Sequence, residues 1–225
     1  MVKACCHAGS EMLGFRSGRA INVAAKGFIV VSATRLLVLG LVRSLGRAHG
    51  YVISKELLAW EVDRWANTKT GSIYHALRTL TAEGLLTSLE VAASDFGPPR
   101  IEYEITVDGD TEFFVLMRQA LSVPDTRPDA LCAGLCFLTA LSRDEALRLF
   151  RQRLAALADK QQIVRDHIPA DGDLPEHRPQ HIESLLGYWE HYLRNASDWT
   201  AGMIRTLESG AYAFAGEDAA LAQDA

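Results

Sequence analysis

The feature that most constrains this chain is a short helix pattern that ends at a glycine and leads directly into a strand pattern. Ile73, Leu77 and Leu80 recur at helical spacing and form one apolar stripe. Thr70 is the predicted N-cap, because its hydroxyl can accept a hydrogen bond from a free amide of the first turn. Gly84 predicts the end of the helix, since glycine adopts the left-handed conformation that closes a helix. The other side of the helix carries polar or planar side chains: Ser72, Tyr74, His75, Arg78 and Thr79.

The polar side of this helix has two interpretations. A helix that enters a DNA groove needs hydrogen-bonding side chains on its outer face and an apolar back held by the core. An ordinary solvated helix in a small helical domain shows the same alternation. The helix pattern alone does not choose between the two.

Three further helix patterns surround this segment. Residues 32–45 form the first, and its apolar stretch is short and interrupted by Arg35, which favours a buried helix over a membrane span. Residues 49–62 form the second. Residues 107–121, which follow the strand patterns, form a linking helix.

The residues directly after the polar-faced helix favour the DNA-binding interpretation. Residues 86–91 alternate between two faces and predict a strand. Residues 92–100 are small, polar and marked by glycine and proline, which predicts a turn. Residues 101–106 predict a second strand. Two strands joined by a polar turn make a β-hairpin wing, and two helices, a recognition helix and a wing follow the order of a winged helix-turn-helix.

Several motifs in residues 32–121 resemble the PadR family of transcriptional regulators. They occur in the family's order: Leu39-Gly40-Leu41, His49-Gly50-Tyr51, the run from Gly71 to Leu77, Glu83-Gly84-Leu85, Gly97-Pro98-Pro99-Arg100, Tyr103, Thr106 and Gly109. The resemblance implies a winged-helix DNA-binding repressor, dimeric through a C-terminal helical region and often released by a small ligand. The chain departs from the family at His75, where proline is usual. It also has Ile101, Glu102 and Glu104 near the second wing strand, where a basic residue and an aromatic are usual, and the acids are expected to repel phosphate.

Seven residues are predicted to bind operator DNA. Four of them should face the major groove: Ser72, His75, Arg78 and Thr79. Lys69 and Tyr74 should approach phosphates, and Arg100 should lie at the wing.

Charge is spread unevenly along the chain. The formal net charge of −5 argues against a generally basic nucleic-acid binder. Residues 1–31 contain four Lys and Arg against one acidic residue, residues 32–121 contain nine against 11, and residues 122–225 contain ten against 16. A sequence-specific regulator can still bind DNA if a few cations cluster on one face, although its non-specific affinity should be weak.

We therefore predict a mainly α protein with a small β-hairpin wing. Its predicted parts are a flexible N-terminal extension (1–28), a winged-helix DNA-binding domain (29–121), a C-terminal helical dimerisation domain (122–209) and a flexible tail (210–225). Pro124 lies at the predicted boundary between the two domains.

The C-terminal region contains two long amphipathic helix patterns. One begins at the capping box Ser142 to Glu145 and runs to about residue 168, and the other covers residues 180–208. Together they carry more apolar surface than they can bury on each other, which predicts a homodimer with two recognition helices on one face. The predicted interface residues are Phe150, Leu154, Leu157, Leu185, Trp189 and Leu193.

Aromatic residues on the last helix pattern have two interpretations. Tyr188, Trp189, Tyr192 and Trp199 lie within about three helical turns. They are either dimer core or walls of a cavity between the two domains that binds a planar aromatic or phenolic effector. Trp65 either packs under the recognition helix or joins that cavity.

Other chemistries find little support in the sequence. The four cysteines form no disulfide framework, which favours a reducing cytoplasm, and no metal site or cofactor is predicted. His177 and His181 are four residues apart, but Pro179 lies between them. No nucleophile–base pair or phosphate loop indicates an enzyme.

The predicted function is a sequence-specific transcriptional regulator, a dimeric repressor released by a small ligand. The alternative is a winged-helix ligand-binding or protein-interaction module that has lost DNA binding.

Overall fold

The computed structural model describes residues 31–91, 100–124, 127–166 and 181–217. The helices and strands in these ranges are α1 (Ala33–Leu45), β1 (Arg47–His49), α2 (Gly50–Ala59), α3 (Val62–Trp65), α4 (Thr70–Ala82), β2 (Leu86–Val91), β3 (Arg100–Ile105), α5 (Val107–Ser122), α6 (Asp129–Leu135), a 3-10 turn (Leu138–Ala140), α7 (Arg143–Asp166) and α8 (His181–Glu208). The prediction of a mainly α winged-helix fold with a small sheet is confirmed. The predicted N-terminal extension, the wing tip and His177 lie outside the described residues.

Helix α1 lies at the centre of the winged-helix part. The Ser32 Oγ caps it by accepting from the Arg35 amide at 3.4 Å. Its side chains are buried on most sides, because α4, α5 and α6 all pack against it. No helix in the described part of the chain is long and apolar enough to span a membrane.

The sheet has three antiparallel strands in the order β1-β3-β2. Strands β2 and β3 form the predicted wing, with Leu86 opposite Ile105. Strand β1 was not predicted from the sequence. Its three residues are too few to show an alternation, and they form a strand because they pair with β3.

Helix α2 is shorter than predicted. It ends at Ala59 rather than near residue 62, and Glu61 then takes a left-handed conformation with φ of 56°. A separate helical turn, α3, begins at Val62. Trp65 at its end packs against the core, and its Nε1 donates to the Trp60 carbonyl at 2.9 Å.

Helix α4, the predicted recognition helix, has the predicted apolar back and the predicted end. Ile73, Leu77 and Leu80 are all fully buried. Gly84 takes φ of 75°, and the Leu85 amide donates to the Leu80 carbonyl at 2.9 Å, which closes the helix. The prediction of Thr70 as N-cap is wrong by one residue. Lys69 has the extended backbone of an N-cap, and Thr70 is the first helical residue.

The hydrogen bonds of Thr106 connect the end of α4, the wing and the start of α5. The Thr106 Oγ1 donates to the Gly84 carbonyl at 2.8 Å and accepts from the Gly109 amide at 3.0 Å. A Cβ on Gly109 would lie 2.0 Å from the Leu85 carbonyl oxygen, so only glycine permits this approach. The end of α4, the end of β3 and the start of α5 are therefore held together.

The segment after α6 packs tightly on α1. A Cβ on Gly40 would lie 2.4 Å from the Phe137 ring. The ring therefore packs directly against the backbone of α1 at this glycine. Phe137 also contacts Trp60 and Phe113, with ring centroids 5.9 and 5.6 Å away.

Helices α7 and α8 pack along their lengths. Ser142 caps α7 as predicted, since its Oγ accepts from the Glu145 amide at 3.3 Å. The prediction of a flexible tail from Gly210 is wrong for residues 210–217. Phe214 is buried there, and the Arg143 guanidinium bonds the carboxylate of Glu217 and three backbone carbonyls of this segment and the end of α8.

Candidate nucleic-acid interface

The outer face of α4 is polar and open to solvent. Ser72, His75 and Arg78 are exposed, whereas Tyr74 and Thr79 are half-buried. The buried stripe on the opposite side fixes the orientation of the helix, so these side chains cannot rotate into the core. A concave surface borders the helix on each side.

The first of these surfaces lies between α4 and the start of α1. It is a groove of about 480 Å³, and it contains three of the residues predicted to face the major groove. Its lining residues are Ser32, Thr34, Arg35, Gly71, Ser72, His75, Ala76 and Thr79. We call it the α1 groove.

The second surface lies between α4, the start of α2 and the wing. It is a groove of about 620 Å³, lined by His49, Gly50, Tyr51, Val52, Tyr74, Arg78, Arg100, Ile101 and Tyr103. We call it the wing groove. It brings Tyr74 and Arg78 of α4 together with Arg100 of β3, and all three were predicted to contact DNA.

Gly50 shapes the wing groove. A Cβ at this position would lie 3.1 Å from Tyr74 Cε1 and 3.3 Å from Tyr103 Cε2, closer than most side chains allow. The glycine therefore lets the start of α2 approach both rings. Burial raises the pKa of the Tyr103 phenol, and the positive charge of Arg78 opposes that rise.

Glu102 and Glu104, two acidic residues of the wing, lie on the other side of the sheet. Side chains alternate along a strand, so Glu102 and Glu104 point away from the face that carries buried Tyr103. Both acids are paired with β1: Arg47 Nη2 lies 2.8 Å from Glu104, and His49 Nε2 lies 3.4 Å from Glu102. The Glu104 contact raises the pKa of Arg47. The expected repulsion of phosphate by these acids is reduced by both their direction and their partners.

The cations of residues 32–121 divide into two groups. Those that form ion pairs with carboxylates are Arg35, Arg43, Arg47, Arg64 and Arg118. Among the described residues, Lys55, Lys69, Arg78 and Arg100 form no ion pair. Three of these four are the cations predicted to contact DNA, at the N-cap of α4, on its outer face and at the first residue of β3.

Sequence reasoning missed one exposed ring at this interface. Tyr51 is 68% exposed and lines the wing groove beside Arg78 and Arg100. It stands in the His49-Gly50-Tyr51 motif, which the sequence analysis used only as a family resemblance. The strand that brings this motif to the groove could not be recognised without its partner.

The aromatic residues of α8 are only partly brought together. A separate cavity of about 200 Å³ between α7 and α8 is lined by Trp189 and Tyr192, whose ring centroids lie 5.6 Å apart. Tyr188 is 61% exposed, and Trp199 contacts the Phe150 ring instead. Of the two interpretations of Trp65, the structure favours packing, because Trp65 packs against the core of the winged-helix part and does not line this cavity.

Several predicted dimer residues are covered within a single chain. Phe150, Leu157 and Leu193 are buried between α7 and α8, so they have almost no surface to offer a partner. Their assignment to the dimer interface is therefore corrected. Leu154 and Trp189 are half-buried, and Leu185 is 49% exposed.

Other candidate chemistry is sparse in the described ranges. They contain no group of three or more His, Cys, Asp and Glu placed to hold a metal ion. Cys132 is half-buried on α6, and Cys136 is exposed directly after it. Desolvation by neighbouring protein atoms raises the pKa of both thiols.

Comparison with known proteins finds one family model and several similar solved structures. Residues 38–114 match the family model of the transcriptional regulator PadR-like family. Bacillus subtilis PadR in complex with operator DNA is 23% identical, with 77% of this chain and 98% of that chain covered and a TM-score of 0.35. Bacillus subtilis PadR in complex with p-coumaric acid is 22% identical, with 82% and 99% covered and a TM-score of 0.33. The PadR-like regulator BC1756 from Bacillus cereus is 20% identical, with 79% and 99% covered and a TM-score of 0.30. Curated protein sequences contained no match.

Proposed function

We propose that this chain, in which residues 38–114 form a PadR-like transcriptional regulator domain, binds operator DNA as a homodimer and represses transcription. The observation that supports this most directly is the position of the cations that form no ion pair in the described part of the chain. Lys69, Arg78 and Arg100 form no ion pair among the described residues, and all three lie along the recognition helix and the wing. The absence of a disulfide framework supports action in the cytoplasm.

Helix α4 enters the major groove, which is about 12 Å wide and admits one helix. Ser72, His75 and Thr79 then meet base edges from the side of the α1 groove. Arg78 lies on the other side and reaches a base edge or a phosphate. Its guanidinium suits the two acceptors of guanine.

The wing groove receives the phosphate backbone. Arg78 and Arg100 line it from two elements, and the Tyr51 and Tyr74 hydroxyls supply further hydrogen-bond donors. Lys69 lies at the N-terminus of α4, where free backbone amides also favour an anion. Contacts of this kind fix the register of the protein on DNA, while the α4 side chains specify the sequence.

Dimerisation is supported by apolar surface that remains open in the single chain. On α8, Leu185, Tyr188 and Trp199 are 49, 61 and 41% exposed. Leu185 and Tyr188 lie one helical turn apart, and Trp199 lies further along the same side of α8. Exposed large apolar side chains along one side of a helix favour a protein partner. A second copy on this surface presents two recognition helices to two half-sites.

The cavity between α7 and α8 is the proposed effector site. Trp189 and Tyr192 give it flat aromatic walls, which suit a planar aromatic or phenolic ligand. Arg153 and Lys160 also line it, and they donate to the carbonyls of Val123 and Pro124 at 2.9 and 2.6 Å. A ligand there releases DNA only if it binds one spacing of the two recognition helices better than another.

Operator binding tests the proposal directly. Fluorescence anisotropy with the promoter of its own gene and with random DNA should show specific binding by the full chain. Arg78→Ala should weaken operator binding by about 1–3 kcal/mol if the side chain contacts a guanine. Arg64→Ala removes the same charge from the exposed helix α3 and should have little effect.

Three other results would contradict parts of this proposal. An equal loss on operator and random DNA would make Arg78 a phosphate contact only. No change on either DNA would show that the wrong face was assigned. Saturable ligand binding by a chain that binds no DNA would favour the alternative function, a winged-helix ligand-binding module.

A further inference from the structure

The wing groove combines two cations with a wall of aromatic rings. Arg78 of α4 and Arg100 of β3 line it, and neither forms an ion pair within the described ranges. Tyr74 and Tyr103 line it as well, and both rings lie against the backbone of Gly50, where a Cβ would be 3.1 and 3.3 Å from them. Because the fold fixes both rings against α2, this wall is formed before anything binds.

The groove also contains apolar surface that a DNA backbone does not need. Tyr51, Val52 and Ile101 line it and are 68, 41 and 48% exposed. Phosphates are bound by cations, hydroxyls and amides, so Val52 and Ile101 have no role in that contact. Exposed apolar side chains gathered around one concave surface favour a ligand that has an apolar part of its own.

The size and the charge of the groove narrow the class of ligand. Its volume of about 620 Å³ lies within the range of about 300–1,000 Å³ that is usual for small-molecule sites. The two guanidinium groups present planar sets of donors that suit phosphate oxygens. A phosphate monoester carries about 1.5–2 negative charges at neutral pH, which matches the two cations better than a single carboxylate does. A flat ring attached to that phosphate would cover the apolar wall.

We propose that the wing groove binds a small aromatic phosphate monoester, which competes with operator DNA for Arg78 and Arg100. The phosphate accepts hydrogen bonds from the two guanidinium groups, and the ring lies against Tyr51, Val52 and Ile101. The competition rests on the proposed DNA-binding function, whereas the binding of the ligand itself does not. It requires no movement of the recognition helices, because the ligand occupies the phosphate-binding groups directly. In this respect it differs from the proposed effector site between α7 and α8.

Calorimetric titration of the full chain with three compounds measures the site. 1-Naphthyl phosphate carries both parts of the proposed ligand, 1-naphthol lacks the phosphate, and inorganic phosphate lacks the ring. 1-Naphthyl phosphate should bind at least roughly tenfold more tightly than either, because it alone gains from both sets of contacts. In fluorescence anisotropy with labelled operator, the apparent Kd for DNA should rise in proportion to the concentration of 1-naphthyl phosphate and reach no plateau, as it does for a direct competitor.

Two matched double variants test the apolar wall. Val52→Thr, Ile101→Thr makes two groove side chains polar and keeps both β-branched. It should weaken binding of 1-naphthyl phosphate roughly 3–10-fold, while the affinities for inorganic phosphate and operator stay unchanged. Val107→Thr, Val115→Thr makes the same kind of change on α5, where these side chains are 85 and 40% exposed, and should leave all three affinities unchanged. Trp189→Leu, in the cavity between α7 and α8, should also keep binding of 1-naphthyl phosphate.

The outcomes separate this site from the proposed function. Equal affinities for 1-naphthyl phosphate and inorganic phosphate would overturn the site. A loss in Trp189→Leu with none in the groove variant would also overturn it, because the ligand would then lie between α7 and α8. Binding that leaves operator affinity unchanged would overturn the competition. Absence of specific operator binding by the parent protein, with ligand binding in the groove intact, would overturn the proposed function and leave the ligand site in place.

Discussion

Substitution of Gly40 by alanine gives a test in which the sign of the effect depends on one neighbouring ring. The new Cβ would lie 2.4 Å from Phe137 Cε2, about 1 Å inside an ordinary carbon–carbon contact. Overpacking of this kind costs about 1–3 kcal/mol. Replacing glycine inside a helix stabilises by about 1 kcal/mol, so Gly40→Ala should be destabilising by up to about 2 kcal/mol.

Removal of the ring reverses the expected sign. Phe137→Ala alone should cost about 3–5 kcal/mol, because the ring is 7% exposed and packs on α1. In that background the clash is gone, and Gly40→Ala should stabilise by about 1 kcal/mol. The difference between the two backgrounds isolates the contact between α1 and the segment after α6.

Urea unfolding of the parent protein, the two single variants and the double variant, all at one fixed protein concentration, measures these free energies of unfolding. Gly187→Ala is the control, since this glycine lies inside α8 and no other described side chain comes within 4 Å of its Cβ position. It should stabilise by about 1 kcal/mol in both backgrounds. If Gly40→Ala stabilised the parent protein as well, the close approach of α1 to Phe137 would be refuted.

Three further changes test other parts of the structure. Arg143 and a backbone amide lower the pKa of Glu217, so its stabilising effect is present at neutral pH and lost as pH falls through that pKa. Glu217→Gln should therefore lower the melting temperature at pH 7 and have no effect in acid. Leu185→Glu should give a monomer in sedimentation, whereas Glu183→Gln, exposed on the same helix, should not. Trp189→Leu should abolish calorimetric binding of planar aromatic acids, while Trp199→Leu should retain it; the opposite pattern would place the ligand elsewhere.

Local signals in the sequence were sufficient for the recognition helix and the wing. Gly84 ends α4 by its own backbone preference, and the stripe from Ile73 to Leu80 requires only helical spacing. Strand β1 could not be found this way, because its register with β3 joins residues more than 50 positions apart. The ion pair between Arg47 and Glu104 follows from that register and was equally hidden.

Amphipathic patterns show that a face is buried, but they do not show which element covers it. Phe150 and Leu193 belong to apolar stripes that suited a dimer, yet the neighbouring helix of the same chain covers them. The tail was misjudged for the opposite reason. Its small residues indicated no structure. Arg143 nevertheless binds the carbonyls of Leu207, Ala211 and Tyr212 and the carboxylate of Glu217. Phe214 of the same segment is buried in the core.

The hydrogen bonds of Thr106 couple any movement of helix α5 to α4 and the wing, the surface that is proposed to contact DNA. One end of α5 is bonded to the end of α4 and the wing, while the carbonyls just beyond its other end accept from Arg153 and Lys160 of α7. Its 16 residues span about 24 Å. A tilt of about 8° at the α7 end would therefore move the recognition helix by about 3.4 Å, the rise of one base pair. In the proposed dimer, a small change at α7 and α8 would therefore be enough to move the two recognition helices out of register with their half-sites.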